Sequence, residues 1–543
     1  MHANAGTESV GRADDDCQSS TSPPRAPVSR WRGPLAGGAT AGLALGVAEL
    51  VAGAANLLSP VVSVGNRVID NVPVAVKDFA IDTFGTNDKP ALIIGTLVGL
   101  ALFAAVIGGL AQRRAHWGWL GVGAFGLLGA WAALKDVSAT TLSVVPSLAG
   151  ALVAAVALQL TLHGVPSRPA RKPHAAKPCA SPHREPQYGG SRRVFLLGLG
   201  ATTGLAAMSG GVGRALRSRF DVAAARAKLR LPVAAQVAIA IPESTQLSVA
   251  GITPFFTSNA DFYRIDTALT VPQVDPDSWR LKITGMVERE LEFSLEELLS
   301  RPLVERVLTL VCVSNEVGGT LVGTATWLGV PLRELLEEAG VQAGADQLVS
   351  RSVDGYTAGT PTQAVLDGRD ALLVFAMNGE PLPTEHGFPA RLIVPGLYGY
   401  VSATKWVTEL QLTRFDDFDA YWIPRGYARM APVKTLSRVD TPRGLQRIPV
   451  GKTPVAGVAW ATHRDISKVE VRVDDGPWQA ATLAAAGNMD TWRQWVFEWE
   501  ATSGRHAITS RAFDGQGQPQ TEERTAPLPD GATGWHQVVV LVD

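Results

Sequence analysis

"LTLVCVSNEVGG", Leu308–Gly319, is the stretch on which the reading of this chain turns. An apolar run ends at Cys312 and opens into a polar, glycine-ended turn. With its leading residues, "ERVLTLVCV" has the length and texture of a buried strand. The chain holds 3 cysteines, and the other two, Cys17 and Cys179, lie far away in sequence. Three chemistries are open to Cys312. It can be an inert buried thiol. It can be a nucleophile, although no local signature supplies the base and orienting group. It can be a metal ligand, because a thiolate is a soft donor. One protein thiolate does not make a zinc or iron–sulfur site. It can complete a metal whose other ligands come from an organic cofactor.

Outward from Cys312 the pattern is mixed. "SLEELLS" begins with capping-box spacing, Ser294 to Glu297. "PLRELLEEAG" has Pro331 at its start and Gly340 at its end, the punctuation of a helix. "ALLVFAMNG" and "RLIVPG" read as further strands. Residues 241–436 therefore form an α+β domain. From about Val450 the texture becomes all-β. Val469–Val473 alternates apolar and polar and turns at Asp475-Gly476, and "WVFEWE", "HAITSRAFDGQG" and "HQVVVLV" repeat the theme. Several short strands over residues 450–543 suggest an immunoglobulin-like sandwich.

The first third of the chain is different. Hydrophobic residues make up 46% of the sequence, and the excess is concentrated there. Five apolar segments, Pro34–Leu58, Pro90–Gln112, Trp117–Leu134, Thr141–His163 and Val194–Val212, each approach the ~20 residues of a spanning helix. The expected architecture is thus multi-domain: an all-α transmembrane region of about five helices, the α+β domain and the β sandwich. Its parts are a leader (1–33), four spans (34–163), a linker (164–193) and a fifth span (194–212) ahead of the two folded domains. The Val61–Lys89 loop suggests an interfacial helix.

Basic residues orient the spans. Arg25, Arg30 and Arg32 precede the first, Arg113 and Arg114 follow the second, and the linker carries seven Lys/Arg between Arg168 and Arg193 against Glu185 alone. All lie on one side if every segment spans, and that side should be cytoplasmic. Everything after the fifth span, Cys312 included, is then outside. Cys312 has no intrachain disulfide partner there, because Cys17 and Cys179 fall on the reducing side. "SRRVFLLGLGATTGLAAMSGG" opens with Arg192-Arg193 ahead of a Gly/Ala-rich helix. It fits a twin-arginine export signal internal to the chain, or plain positive-inside flanking. Formal net charge is −1, so nothing global points to nucleic acid.

Longer motifs carry a family resemblance. "LTLVCVSNEVGG…TATWLGVPLRELLEEAGV", "VPQVDPDSWRLKITGMV", "FAMNGEPLPTEHGFPARLIVPGLYGYVSATKW" and "YWIPRGY" occur in this order. They resemble the molybdopterin-binding domain of the sulfite oxidase family, and the C-terminal β region resembles that family's dimerisation domain. The likeness covers roughly Thr253–Asp543. It implies that Cys312 binds molybdenum, beside the dithiolene of one pterin. It implies that His386 and Arg391, in "HGFPAR", contact the pterin, where an arginine fork suits a phosphate or ring. Lys405, after Ser402 in "SATKW", would add charge near the phosphate. Asn259, Tyr263 and Arg264 would form a further cofactor wall. Ser314 and Asn315 would hydrogen-bond the ligand or the pterin. Tyr427 falls at the family's spacing from Trp422 for an active-site tyrosine, and Asp354 and Tyr356 are further pocket candidates. Taken alone, several fit ordinary places: His386 capping a turn, Lys405 beside Trp406 on a surface, Tyr356 and Tyr427 as half-buried aromatics.

Two departures bear on substrate. The family's sulfite-oxidising members carry arginines four and five residues after the cysteine; here stand Glu316 and Val317. The usual arginine–asparagine–histidine run is Arg264-Ile265-Asp266. The metal site is kept while the cationic pocket for a sulfite dianion is weakened. The implied chemistry is two-electron oxygen-atom transfer at molybdenum on a small-molecule substrate. The resemblance further implies a homodimer through the C-terminal domain and an electron-transfer partner, a cytochrome or a quinone-linked protein. The sequence has no Cys-x-x-Cys-His motif, and the histidines near the spans, His116 and His163, sit at segment ends. The spans therefore read as an anchor in the lipid bilayer rather than a haem carrier. Two other readings remain: a sulfite oxidase proper, and a cofactor-free membrane receptor whose β sandwich is the binding element.

Overall fold

The computed structural model describes residues 30–55, 57–71, 83, 88–136, 139–163, 192–217 and 222–543. Cys17, Cys179 and most of the leader and basic linker lie outside the described residues.

Among the described residues, five helices are long and apolar enough to cross a membrane: Arg32–Ala55, Ala91–Arg113, Ala115–Leu134, Thr141–His163 and Arg193–Leu216. The first is central, packing on the second, fourth and fifth. Small residues allow this. A side chain at Gly37 would run into the Ala104 carbonyl, one at Gly46 into the Ala206 carbonyl and one at Gly150 into the Ala44 carbonyl. Such close backbone approach supplies van der Waals contact between the helices. A further helix, Pro60–Asn71, occupies part of the loop read as interfacial.

The α+β region holds two sheets. One orders Val304–Val311, Val322–Pro331, Leu372–Met377 and Glu380–Pro381, with Arg391–Ile393 also paired to Leu372–Met377. The other orders Leu291–Ser294, Arg280–Gly285, Val407–Thr413, Gln347–Ser352 and Thr357–Pro361. The helix Leu295–Leu299 starts where Ser294 and Glu297 exchange hydrogen bonds, the Glu297 N–H to Ser294 Oγ at 3.2 Å and the Ser294 N–H to Glu297 Oε2 at 2.7 Å. Helix Leu332–Ala339 ends at Gly340, whose φ of +73° few other residues adopt. Leu332, Leu335, Leu336 and Ala339 on its inner face are fully buried.

Two more sheets follow. One orders Leu436–Thr441, Gly451–Trp460, Arg493–Ala501 and Thr482–Leu483. The other orders Arg447–Ile448, His536–Val542, Gly504–Asp514, Ile466–Val473 and Gln479–Ala480. They share an apolar core that includes Val455, Val469, Trp495, Ile508 and Val540. This β region begins before residue 450. Leu436–Thr441 pairs with Gly451–Trp460, but Ser437 and Arg438 are buried along with Leu436 and Val439, so no alternation marked it in sequence.

The β region grips the α+β region. Trp492, 1% exposed, donates its indole N–H to the Phe255 carbonyl at 2.9 Å, and its backbone N–H to Thr309 at 2.8 Å. Arg438 donates to the Gly319 carbonyl at 2.7 Å and pairs with Asp440 at 2.6 Å, both side chains buried. The His536 ring packs against Gly318 so closely that a Cβ there would strike it. The cysteine loop is therefore held from the far domain.

His536 Nδ1 accepts the Val439 N–H at 3.0 Å, which requires that nitrogen to be unprotonated. Burial, then the Arg438 charge, holds its pKa down to about 4. The unfolded chain takes that proton near pH 6.5 and the folded chain near pH 4, so stability should fall as pH drops between these values. Urea unfolding of the full chain at stepped pH checks this. His536→Gln, which keeps an acceptor, should flatten part of the slope.

Candidate molybdopterin active site

Strand Val304–Val311 delivers Cys312 to the edge of a cavity of about 120 Å³. Backbone bonds fix the loop: the Cys312 N–H donates to the Leu321 carbonyl at 3.0 Å, and the Asn315 N–H to the Cys312 carbonyl at 3.1 Å. Asn315 Oδ1 accepts the Leu321 N–H at 2.8 Å. Cys312 is 7% exposed and forms no disulfide. Burial raises its thiol pKa, and the Ser314 N–H and hydroxyl oppose that. A thiolate here needs a cation to stabilise it, and a bound metal is such a cation. Among the described residues no group of three or more His, Cys, Asp or Glu could hold a metal by itself. Other ligands must come from elsewhere.

Ser314, Tyr263, Asp354 and Tyr356 line the same cavity, as do Arg391, Lys405 and Tyr427. Residues distant in sequence, from 263 to 427, thus meet around one thiol. Arg391 is 6% exposed, with its guanidinium 5.3 Å from the Trp327 ring centroid. It donates to the His386 carbonyl at 3.2 Å, and more weakly to the Ala403 carbonyl at 3.4 Å. Its Nε is buried with no hydrogen-bond partner. Burial lowers its pKa to about 10, so it stays charged at neutral pH. A buried cation with an open donor at a cavity wall fits an anionic group such as a pterin phosphate or metal-bound ligand.

Lys405 Nζ donates to Asp266 Oδ2 at 2.8 Å and to the Glu385 carbonyl at 3.1 Å. Burial lowers its pKa to about 8, against the pull of Asp266. Tyr356 donates its hydroxyl to the Tyr400 carbonyl at 2.7 Å, and burial, then Cys312, raises its pKa. It remains a donor and not a base. Burial, then the Cys312 thiol, also raises Tyr263. Asp354 is raised by burial despite bonds from Ser352 and the Tyr356 N–H. The Tyr427 ring stands 5.2 Å from Trp422 and 5.4 Å from Tyr400, centroid to centroid, which fixes its direction. Asp354 and Tyr356 also border a larger space, about 2130 Å³, between the helical region and the α+β region.

Five expected residues do not line the cavity. Ser402 is fully buried, and its hydroxyl donates to the Leu397 and Tyr398 carbonyls. Arg264 points away to bond Asp266 at 2.8 Å and is 39% exposed. Asn259 braces the strand end, donating to the Met377 carbonyl and accepting from Asn378. His386 donates from Nε2 to the Asn259 carbonyl at 3.1 Å and stacks edge-on against Phe262. Burial, then Arg391, lowers its pKa to about 4, so it is neutral. Asn315 closes the cysteine loop, and its Nδ2 is buried without a partner. Asp266, Tyr400, Trp406 and Trp422 line the cavity and were not among the expected site residues. Tyr400 and Trp406 lay inside the motif "FAMNGEPLPTEHGFPARLIVPGLYGYVSATKW", whereas a lone aspartate such as Asp266 gives no pattern to read.

Residues 268–422 match the family model described as oxidoreductase molybdopterin binding domain. That stretch is a molybdopterin-binding oxidoreductase domain, and the chain is similar to sulfite oxidases and nitrate reductases. Its relatives include sulfite oxidase of Gallus gallus, 28% identical over 52% of this chain and 72% of the relative. Mitochondrial sulfite oxidase of Homo sapiens is 28% identical over 54% of this chain and 62% of the relative. An inducible NADH nitrate reductase of Glycine max is 27% identical over 45% of this chain, yet only 35% of that protein. The match to the human enzyme and to the nitrate reductase thus leaves part of each relative uncovered. Among solved structures, the sulfane dehydrogenase SoxCD from Paracoccus pantotrophus aligns with TM-score 0.47 and 24% identity, over 54% of this chain and 84% of that one.

Arg391→Met separates cofactor binding from folding. Removing an uncompensated buried charge should leave the cofactor-free thermal midpoint unchanged or higher. Pterin and molybdenum retained per chain should fall roughly tenfold or more.

Proposed function

We propose that this chain is a membrane-anchored oxidoreductase that transfers an oxygen atom to or from a small molecule outside the cytoplasm. The observation that carries the proposal is the buried Cys312 thiol facing, across one cavity, the buried Arg391 guanidinium with an open donor. Molybdenum bound to molybdopterin supplies two-electron oxygen-atom transfer when present. The residues present suit it. Cys312 would ligate the metal, losing its proton as the metal binds. Arg391 would hold an anionic part of the cofactor. Tyr356 stays protonated with its one O–H given to the Tyr400 carbonyl, so it shapes the wall near the thiol and takes no proton. The ring packing of Tyr427 presents a further polar tip at the wall. Trp406 and Trp422 exclude water from the same space.

The five long apolar helices serve as the anchor, and the basic linker marks the cytoplasmic side. Arg192-Arg193 begins the last helix, as a twin-arginine signal would. The C-terminal pair of sheets is read as an immunoglobulin-like sandwich through which two copies associate. The electron partner is a cytochrome or a quinone-linked protein. The proposed divisions are 1–33, 34–163, 164–193, 194–212, 241–436 and 450–543, and the strand Leu436–Thr441 pairs into the β region ahead of the last of them. Sulfite is the second reading of the substrate, favoured by the names of the 28%-identical relatives. The receptor reading is set aside, because the matched domain is an oxidoreductase domain.

The test is metal and pterin content of the full chain purified in detergent from a host that makes molybdopterin, beside Cys312→Ser. Near-stoichiometric molybdenum is expected in the first. The variant should turn over no substrate with an electron-carrying dye. A folded chain with neither molybdenum nor pterin would sink the proposal. Protease added to sealed vesicles of either orientation should cut residues beyond the fifth helix only when the outer face is exposed.

A further inference from the structure

We infer that Asp266 sets the charge of the cavity, so that the site takes a small uncharged molecule bearing a transferable oxygen and turns away dianions. The inference rests on the oxidoreductase reading above and deepens it.

The described residues lining the cavity include two cations, Arg391 and Lys405, and two acids, Asp266 and Asp354. Arg391 is buried against Trp327 with its open Nε, the place for the cofactor's anion. Lys405 is the other cation of the lining. Its ammonium lies 2.8 Å from the Asp266 carboxylate, and the two side chains are 8% and 3% exposed. A second donor is taken by the Glu385 carbonyl, and the Trp406 ring lies 4.5 Å from Nζ. At this depth an ion pair is weakly screened, so Asp266 cancels most of the charge Lys405 would offer. Arg264 donates to the same Asp266 oxygen at 2.8 Å but is 39% exposed and turned to solvent, so the charge lining the cavity is that of the Lys405–Asp266 pair. Asp354, with Oδ1 accepting the Tyr356 N–H at 3.2 Å, adds a second carboxyl to the wall. The rest of the lining includes the rings of Tyr400, Trp422 and Tyr427.

A divalent oxyanion entering would lose its hydration, meet two carboxyl groups and find no lysine or arginine to itself. An uncharged oxo compound loses little hydration and gains ring contact.

The experiment uses the full chain in detergent, with molybdenum per chain measured first. Dimethyl sulfoxide is the uncharged probe: its S–O bond breaks, the oxygen leaves as water with two protons, and two reduced viologen molecules each give one electron. Sulfite is the dianion probe: it gains oxygen from water, and two ferricyanides each accept one electron as two protons leave. A third readout needs no turnover. Sulfate and dimethyl sulfone are titrated against the fluorescence of the tryptophans, two of which, Trp406 and Trp422, line the cavity. The expected result is a lower KM for dimethyl sulfoxide than for sulfite, and quenching by the sulfone at concentrations where sulfate has no effect. Asp266→Asn should tighten sulfate roughly tenfold or more, since Lys405 then keeps its charge. Lys405→Gln should gain no sulfate binding. Sulfate binding as tight to the original chain as to Asp266→Asn, or a lower KM for sulfite, overturns the inference. If Asp266→Asn does not fold, the sulfate and sulfone comparison on the original chain decides. A chain without molybdenum overturns the oxidoreductase reading instead, and the titrations still judge the cavity's charge.

Discussion

A guanidinium and a thiol buried beside one cavity form the constraint around which this molecule is arranged. Arg391 is charged, almost fully enclosed and short of one hydrogen-bond acceptor. Cys312 is enclosed too, and burial keeps its proton on. The buried charge is costly in an empty protein, whereas the neutral thiol is not. An anion at the guanidinium would offset that cost, and a metal cation at the sulfur would favour the thiolate. The fold must therefore hold Arg391 in place against its preference for water.

It does so from both domains. The strand that ends at Cys312 is paired along its whole length with Val322–Pro331. The loop after it is closed by Asn315, tied down by Arg438 and covered by the His536 ring. On the other side, Arg391 starts a short strand paired to Leu372–Met377, and His386 and Asn259 brace the turn before it. His386 and Asn259 thus act at one remove, by fixing backbone that Arg391 bonds. The same logic places Ser402, whose hydroxyl caps a short helical turn just before Lys405. These residues hold the walls without lining them.

The chemical character of the cavity comes from pairs rather than single residues. Lys405 would be a strong anion site if it stood alone, and beside Asp266 it is not. Tyr356 has its hydroxyl directed to a carbonyl, which fixes it as a donor. Pairings of this kind, between residues 266 and 405 or 356 and 400, follow from how two sheets and their loops converge.

Much was legible in the sequence because it depended on neighbours along the chain. Runs of about twenty apolar residues marked the helices, each long enough to cross a bilayer. The Ser294–Glu297 cap and the Pro331…Gly340 helix were readable for the same reason: their bonds span a few residues. Cys312, Arg391 and Lys405 stood in motifs specific enough to point to the cavity they share. Three matters were decided only by tertiary structure. The strand Leu436–Thr441 buries polar Ser437 against Ser510 of its own β region and Arg438 against the α+β region, so it shows no alternation. Asn259, His386 and Ser402 direct their hydrogen bonds to backbone, which residue type does not announce. Asp266 becomes part of the site only because Lys405, 139 residues away, is brought to its carboxylate. Local pattern fixes what a segment becomes, but the charge a cavity presents is a sum over groups that only folding brings within hydrogen-bond reach.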